Sequence, residues 1–298
     1  MATVALDRSE FARKKNRIDA AWYRRERRFV ELPVGRVAYV ERGRGPAALF
    51  VHGYPLNGFQ WRGAIERLHA LRRCIAPDVM GMGFTQTPEG QMISPVAQAT
   101  MLAMLLDTLH VEAADFVAND SGGLVAQLFL AKYPQRVRTL LLTNCDVDKN
   151  SPPPQFLPFI EQARKGTFVD DFIVPQLKDK ELARSAKGMG GLAYTHPESL
   201  EDETIETYFQ LPAARGDSPQ ESTGQSICGF NGNEFTHVHS RSFASMEGAR
   251  ANGMGAEGWA FRRGMGGMAG PNAAGFTRCT KGGRSQLVLS GRDAGVNR

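Results

Sequence analysis

The stretch "FVANDSGG", residues 116–123, decides how this chain is read. An apolar run stops at two polar residues, two glycines follow, and a helical pattern starts at Leu124. A strand that turns sharply into a helix displays one side chain at the corner. Small residues are needed two before and two after that side chain, because the strand and helix backbones crowd there. With Asp120 at the tip, those positions are Ala118 and Gly122. With Ser121 at the tip, they are Asn119 and Gly123, and Asn is the poorer fit. Asp120 is the expected tip and Ser121 the alternative. Taken alone, the stretch reads as an Asp or Ser that only caps a helix.

The flanking sequence repeats the same unit. "PAALFVHG" is a continuous apolar run ending at His52-Gly53, which suggests a strand covered on both faces. Residues 58–70 then read as helix, "RRCIAPD" as strand, 94–110 as a strongly amphipathic helix, and 136–145 as strand. Upstream, "FVELPVGRVAYVERG" reads as two strands about a turn. Strands alternating with helices argue a doubly wound α/β sheet. Residues 46–53, 72–78, 114–120 and 136–145 are predicted to be parallel neighbours. Right-handed crossovers bring the C-terminal ends of such strands to one edge, where ligands bind. "HGYP" (52–55) leaves from that edge and can aim the Tyr54 backbone N–H at the corner. With the Ser121 N–H at the helix start it would form a two-donor oxyanion hole. A His before Gly at a strand end more often holds a loop than does acid–base chemistry, and that is the expectation for His52.

Composition sets the outer bounds. The chain has 298 residues and a formal charge of +5, with its basic residues clustered in 13–28. Residues 8–28 have helical spacing, and the cluster reads as a solvated helix face rather than a nucleic-acid or membrane patch. No apolar stretch approaches the roughly 18 residues of a membrane span. The N-terminus lacks a secretory h-region, and Asp7, Glu10, Asp19 and Glu26 argue against a transit peptide, so a cytoplasmic protein is expected. The four cysteines, Cys74, Cys145, Cys228 and Cys279, lack metal-site spacing and read as free thiols. No metal site, cofactor, nucleic-acid partner or membrane is implied; the partner expected is a small-molecule substrate.

The pattern changes twice. After "SPPPQF", residues 156–211 read as several short helices, the outline of an inserted cap. From about Gly216 large aliphatics nearly vanish: the last 83 residues hold 17 Gly and 6 Leu, Ile or Val. So little aliphatic surface cannot offset the entropy of ordering. Residues 246–272 accordingly read as linker, and only 285–293 as a strand. The expected organisation is a basic helical extension (1–28), an α/β core (29–146), a helical cap (147–214) and an atypical Gly-rich segment (215–298). That last segment is expected to be disordered or the product of a shifted reading frame.

"VHGYPLNGFQWRG", "APDVMGMGFTQTP", "FVANDSGG" and "YPQRVRTLLLTN", in this order, resemble the α/β-hydrolase superfamily. Within it they are most similar to the haloalkane dehalogenase and epoxide hydrolase branch. The resemblance covers about residues 29–145, extended by the cap to about 214. It implies an α/β-hydrolase fold: a mostly parallel sheet flanked by helices, with a helical cap. It also implies a two-step mechanism in which Asp120 forms an ester that a His-activated water then hydrolyses, with Tyr54 and Ser121 N–H groups as the oxyanion hole. Dehalogenases of this type usually carry Trp after the nucleophile, where Ser121 stands here. Epoxide hydrolases use cap tyrosines, for which Tyr194 and Tyr208 are candidates beside Trp61 as substrate-binding residues. Packing in the cap is the simpler account of Tyr194 and Tyr208. The family's acid and His follow the cap. Here only Asp146 and Asp293 offer themselves as the acid, and only His237 and His239 as the base. A serine esterase using Ser121, and a homologue impaired by loss of the His, are the alternative functions.

Overall fold

A computed structural model describes residues 17–88, 90–145 and 154–209, together with the backbone of 260–263, 275–281 and 284–290. A short helix α1 (Ala20–Glu26) leads into the hairpin β1 (Arg28–Leu32) and β2 (Gly35–Arg42). Then come β3 (Ala47–Val51), a 3-10 turn (Gly58–Trp61), α2 (Arg62–Leu68), β4 (Arg73–Pro77) and α3 (Pro95–Thr108). β5 (Ala114–Asp120), α4 (Ser121–Lys132) and β6 (Val137–Cys145) complete the repeat. After β6 come α5 (Leu157–Arg164), a π-helical turn (Val169–Ile173), α6 (Val174–Lys178), α7 (Lys180–Arg184), α8 (Met189–Ala193) and α9 (Asp202–Tyr208). Three further strands are β7 (Ala260–Arg263), β8 (Gly275–Lys281) and β9 (Arg284–Ser290).

The sheet has nine strands in the order β1-β2-β4-β3-β5-β6-β9-β8-β7. β4, β3, β5, β6 and β9 pair in parallel, and antiparallel pairs flank them on both sides. The four strands expected to be parallel neighbours are so. The chain leaves β3 to one side for β4 and returns on the other for β5. At the strand ends that flank this reversal, where ligands bind in such sheets, loop 52–57 meets loop 78–84 on one side and the tip of β5 on the other.

The strand period of two sorts the core into two layers. Leu49, Val51, Phe116 and Ala118 face α3 and α4, whereas Ala48 and Phe50 face the layer of α1, α2 and α5–α9. The Phe116 and Phe129 rings lie 4.6 Å apart in the first layer. Each fully buried side chain of that size contributes about 1.5–3 kcal/mol.

Three sequence expectations need correction. The helix expected over 8–28 is, among the described residues, only Ala20–Glu26. The Asp19 side chain caps it by accepting the Trp22 N–H, and Arg27 is already extended (φ −60°, ψ 131°). Its basic residues Arg24 and Arg25 are exposed, but Ile18 and Tyr23 anchor it in the second layer. Helix α3 is not strongly amphipathic: Met101, Leu102 and Ala103 are buried in succession, because the helix is covered by the sheet on one side and α4 on another. Finally, 246–272 is not only linker. β7 falls inside it and pairs with β8, which pairs in turn with the expected strand β9. A β-ladder is bonded through the main chain, so a low aliphatic content did not forbid it.

Candidate active site

The corner at the end of β5 is sharp. Asp120 has φ +54° and ψ −131°, a conformation that costs a non-glycine residue of order 1–3 kcal/mol. Ser121 begins α4 and is 8% exposed. The crowding that the sequence pattern anticipated is present. A Cβ on Gly122 would sit 2.4 Å from the His52 carbonyl oxygen and 2.6 Å from that of Val51. A Cβ on Gly53 would sit 2.5 Å from the Asp120 Cβ. The two glycines let the HGYP loop and α4 close upon Asp120 from both sides.

The Tyr54 backbone N–H donates to Asp120 Oδ1 at 3.0 Å. The Ser121 N–H and hydroxyl stand next to this carboxyl and favour its ionised form. Burial pushes the Asp120 pKa up, and the Ser121 and Tyr54 N–H groups, the Ser121 hydroxyl and His52 pull against that rise. The Tyr54–Pro55 peptide is cis.

His52 is 1% exposed. Its Nε2 accepts the Val79 N–H at 3.0 Å, and its Nδ1 lies 2.9 Å from the Gly53 carbonyl oxygen, to which it donates. Burial holds its pKa below the ordinary imidazole value, against the opposing charge of Asp78. The neutral ring staples the loop after β3 to the loop after β4, as a loop-holding His was expected to do.

Asp78 is fully buried and organises the second loop. It accepts the Tyr23 hydroxyl at 2.7 Å, the Gly58 N–H at 2.8 Å and the Phe84 N–H at 2.8 Å. Three donors compensate the buried charge. Burial, with Asp78 alongside, pushes the Tyr23 hydroxyl well above its usual pKa.

Aromatic side chains approach from α5–α9. Phe168 lies 5.7 Å from the Tyr54 ring, and Phe159 and Phe172 extend that cluster. Trp61 closes the 3-10 turn with its ring 5.5 Å from Phe50, and its buried indole N–H has no acceptor among the described residues. Tyr194 and Tyr208 are brought together, their hydroxyls 3.5 Å apart. The Arg62 guanidinium donates to the Tyr208 hydroxyl at 2.9 Å and to Thr204 Oγ1 at 3.2 Å, tying α9 to the start of α2. Burial, with Tyr208 alongside, pushes the Tyr194 hydroxyl far above its usual pKa.

The remaining acid–base candidates, Asp146, His237, His239 and Asp293, lie outside the described residues. Two residues at the site were not singled out from sequence. Gln60 accepts the Gly53 N–H at 2.9 Å and donates to Asn119 Oδ1 at 2.6 Å. No local signal marks it, because its partner is 59 residues away. Among the described residues no group of three or more His, Cys, Asp or Glu could hold a metal ion, and no helix is long and apolar enough to cross a membrane.

A strained Asp at a strand-to-helix corner, a glycine packed on each side of it and a backbone donor from the neighbouring strand end make a sharp corner that displays one side chain. The sequence profile described as the alpha/beta hydrolase fold matches residues 46–241, well over half of the chain. This chain belongs to the α/β-hydrolase fold family. Its relatives include haloalkane dehalogenase 2 of Mycobacterium tuberculosis, 31% identical over 126 residues that make up 42% of this chain and 44% of that one. Epoxide hydrolase 1 of Caenorhabditis elegans is 30% identical over 44% of this chain and 33% of its own. The 2-hydroxy-6-oxo-2,4-heptadienoate hydrolase of Pseudomonas putida is 37% identical over 34% of this chain and 37% of its own. The chain thus spans less than half the length of each of these curated relatives. Among solved structures, a putative ancestral haloalkane dehalogenase superposes with a TM-score of 0.56 at 22% identity, over 75% of this chain and 77% of that one. That likeness shows the fold.

Proposed function

We propose that this α/β-hydrolase acts through Asp120 as the nucleophile, on small molecules of the haloalkane or epoxide kind. One observation carries the reading: the Tyr54 N–H is aimed at Oδ1 of a carboxylate that itself occupies the strained tip. For a serine nucleophile at 121 the donor would have to face the substrate's carbonyl oxygen, not the side chain of residue 120. Names of relatives that include a haloalkane dehalogenase and an epoxide hydrolase support the substrate class.

In the first step Asp120 Oδ2 attacks an electrophilic carbon. The C–O bond forms as the bond to halide or ring oxygen breaks, and the electron pair leaves with that group. In the second step water adds to the ester carbonyl carbon. Oδ1 becomes the oxyanion, held by the Tyr54 and Ser121 N–H groups, before the alcohol departs. Covalent catalysis divides one hard displacement into two easier ones. Helices α5–α9 serve as the cap, with Phe159, Phe168 and Phe172 as its apolar lining over Tyr54. Trp61, Tyr194 and Tyr208 are the polar candidates for the leaving group. His237 and His239, beyond Phe209, are the candidates for the base that activates water.

Intact and peptide mass spectrometry after incubation with 1-bromobutane or styrene oxide tests the reading. A stoichiometric adduct on Asp120 is the expected result. Labelling on Ser121 with none on Asp120 selects the serine alternative.

A further inference from the structure

A chain of side-chain amides runs beside the elbow and ties β6, β5 and the loop after β3 together. Thr143 of β6 accepts the Asn119 amide N–H on its backbone oxygen at 2.8 Å and on Oγ1 at 3.1 Å. Asn119 Oδ1 accepts the Gln60 amide N–H at 2.6 Å. Gln60 Oε1 accepts the Gly53 backbone N–H at 2.9 Å. The next backbone N–H along, that of Tyr54, donates to Asp120 Oδ1 at 3.0 Å.

We propose that Gln60 and Asn119 are positioning residues that clamp Gly53 and thereby fix the Tyr54 N–H on Asp120 Oδ1. The proposal rests on Asp120 being the nucleophile and adds which residues set its geometry. Each amide is used in one sense only. Gln60 must offer oxygen to Gly53 and nitrogen to Asn119. Asn119 must offer oxygen to Gln60 and nitrogen to Thr143. The relay therefore has a direction, anchored on the β6 main chain and ending one residue short of the catalytic donor. Asn119 immediately precedes Asp120, so the relay references the HGYP loop to the same strand that carries the nucleophile.

The chemical consequence is a distinction between the two carboxylate oxygens. With Oδ1 held by the Tyr54 N–H, Oδ2 is the oxygen that attacks, and Oδ1 is already where negative charge develops in ester hydrolysis. A donor in place before the reaction needs no reorganisation during it. Releasing Gly53 lets the Tyr54 N–H drift, which removes a hydrogen bond that favours the ionised carboxyl.

The test is the titration of Asp120 itself. His52 is the other titratable group placed against Asp120 among the described residues, so the readout must sit on the carboxyl carbon. In protein carrying 13C-labelled aspartate, the Asp120 resonance is assigned by its loss in Asp120→Asn and followed with pH. Gln60→Met keeps the side-chain length without either amide group. It is expected to raise the Asp120 midpoint by about one pH unit, the size of a lost charge-assisted hydrogen bond. Asn119→Leu is expected to raise it in the same direction. Thr143→Val, which keeps the backbone acceptor, is expected to raise it least. Unchanged midpoints in folded Gln60→Met and Asn119→Leu overturn the relay. The nucleophile reading fails separately, if the unmutated protein shows no adduct on Asp120 at any pH, and the titration still decides the relay in that event.

Discussion

His52 Nε2 accepts the backbone N–H of Val79 at 3.0 Å, while its other ring nitrogen donates to the Gly53 carbonyl oxygen. With both nitrogens engaged and the ring buried, this His has no lone pair left to activate water. It is a bracket between the loops that follow β3 and β4. Replacing it with Gln is expected to lower stability by about 1–3 kcal/mol, the cost of leaving buried polar groups unpaired. Urea unfolding measures that loss. Asp120 in the folded fraction of the variant is expected to be alkylated still. A folded His52→Gln protein that has lost all alkylation would show that the ring does more than hold the loops.

The pH response of the elbow has a definite sign. Burial raises the Asp120 pKa above its ordinary value, more than its donors lower it. Only the carboxylate attacks, so the rate of ester formation is expected to rise with pH through a midpoint above that of a free aspartate. Stability moves the other way. A group whose folded pKa is raised favours folding fully below its unfolded pKa, and that contribution is lost as pH rises through the folded pKa. Removing the charge with Asp120→Asn is therefore expected to stabilise the protein relative to wild type on the alkaline side of this window. The difference should fade as pH falls. Denaturant melts of the two proteins across the acid range read it directly, and a difference that grows toward low pH contradicts the assignment.

Gly122 tests the crowding at the corner. Its missing Cβ faces two main-chain carbonyl oxygens, which cannot rotate away as a side chain would. Gly122→Ala must push α4 off the end of β3 and is expected to cost about 1–3 kcal/mol, the range for overpacking. The same shift moves the Ser121 N–H relative to Asp120. Alkylation of Asp120 is therefore expected to slow more than the stability loss alone implies, and parallel unfolding and adduct-formation rates on one preparation check this.

What could be read from the sequence was what depends on neighbours along the chain. Ala118 and Gly122 around Asp120 pointed to the sharp corner, because the steric demand there is local. Continuous apolar runs marked β3 and β5, because a strand covered on both faces leaves no polar alternation. The amides of Gln60 and Asn119 stayed invisible, since their meeting depends on how β3 and β5 pair. The strands β7 and β8 were missed for a related reason: their partners are main-chain groups, which composition does not report. Helix α3 was read as amphipathic, and only its tertiary neighbours decide how many of its faces are covered.

The decisive comparison sets Asp120 against Ser121. If Asp120 is the nucleophile, Asp120→Ala removes the atom that forms the ester, and adduct formation is expected to fall to background with any alkyl halide or epoxide. Ser121→Ala keeps the backbone N–H and removes only the hydroxyl, both of which favour the ionised carboxyl. It is expected to shift the pH midpoint of alkylation upward, because one stabilising donor to the carboxylate is gone. Its maximal rate should fall far less than the roughly hundredfold or more that follows loss of an oxyanion donor. Under the esterase alternative the order reverses: Ser121→Ala abolishes acylation by a p-nitrophenyl ester, and Asp120→Ala only distorts the corner. The half-reaction is the right measurement, since a carboxylate attacks without a base, whereas hydrolysis of its ester requires one. Following the mass of intact protein over time separates the two steps. With the base working, the alkyl-ester appears and decays to the unmodified mass. Without it, the ester on Asp120 accumulates to one equivalent and stays. Either course places the nucleophile at 120, and a stable acyl group on Ser121 with an unmodified Asp120 excludes it.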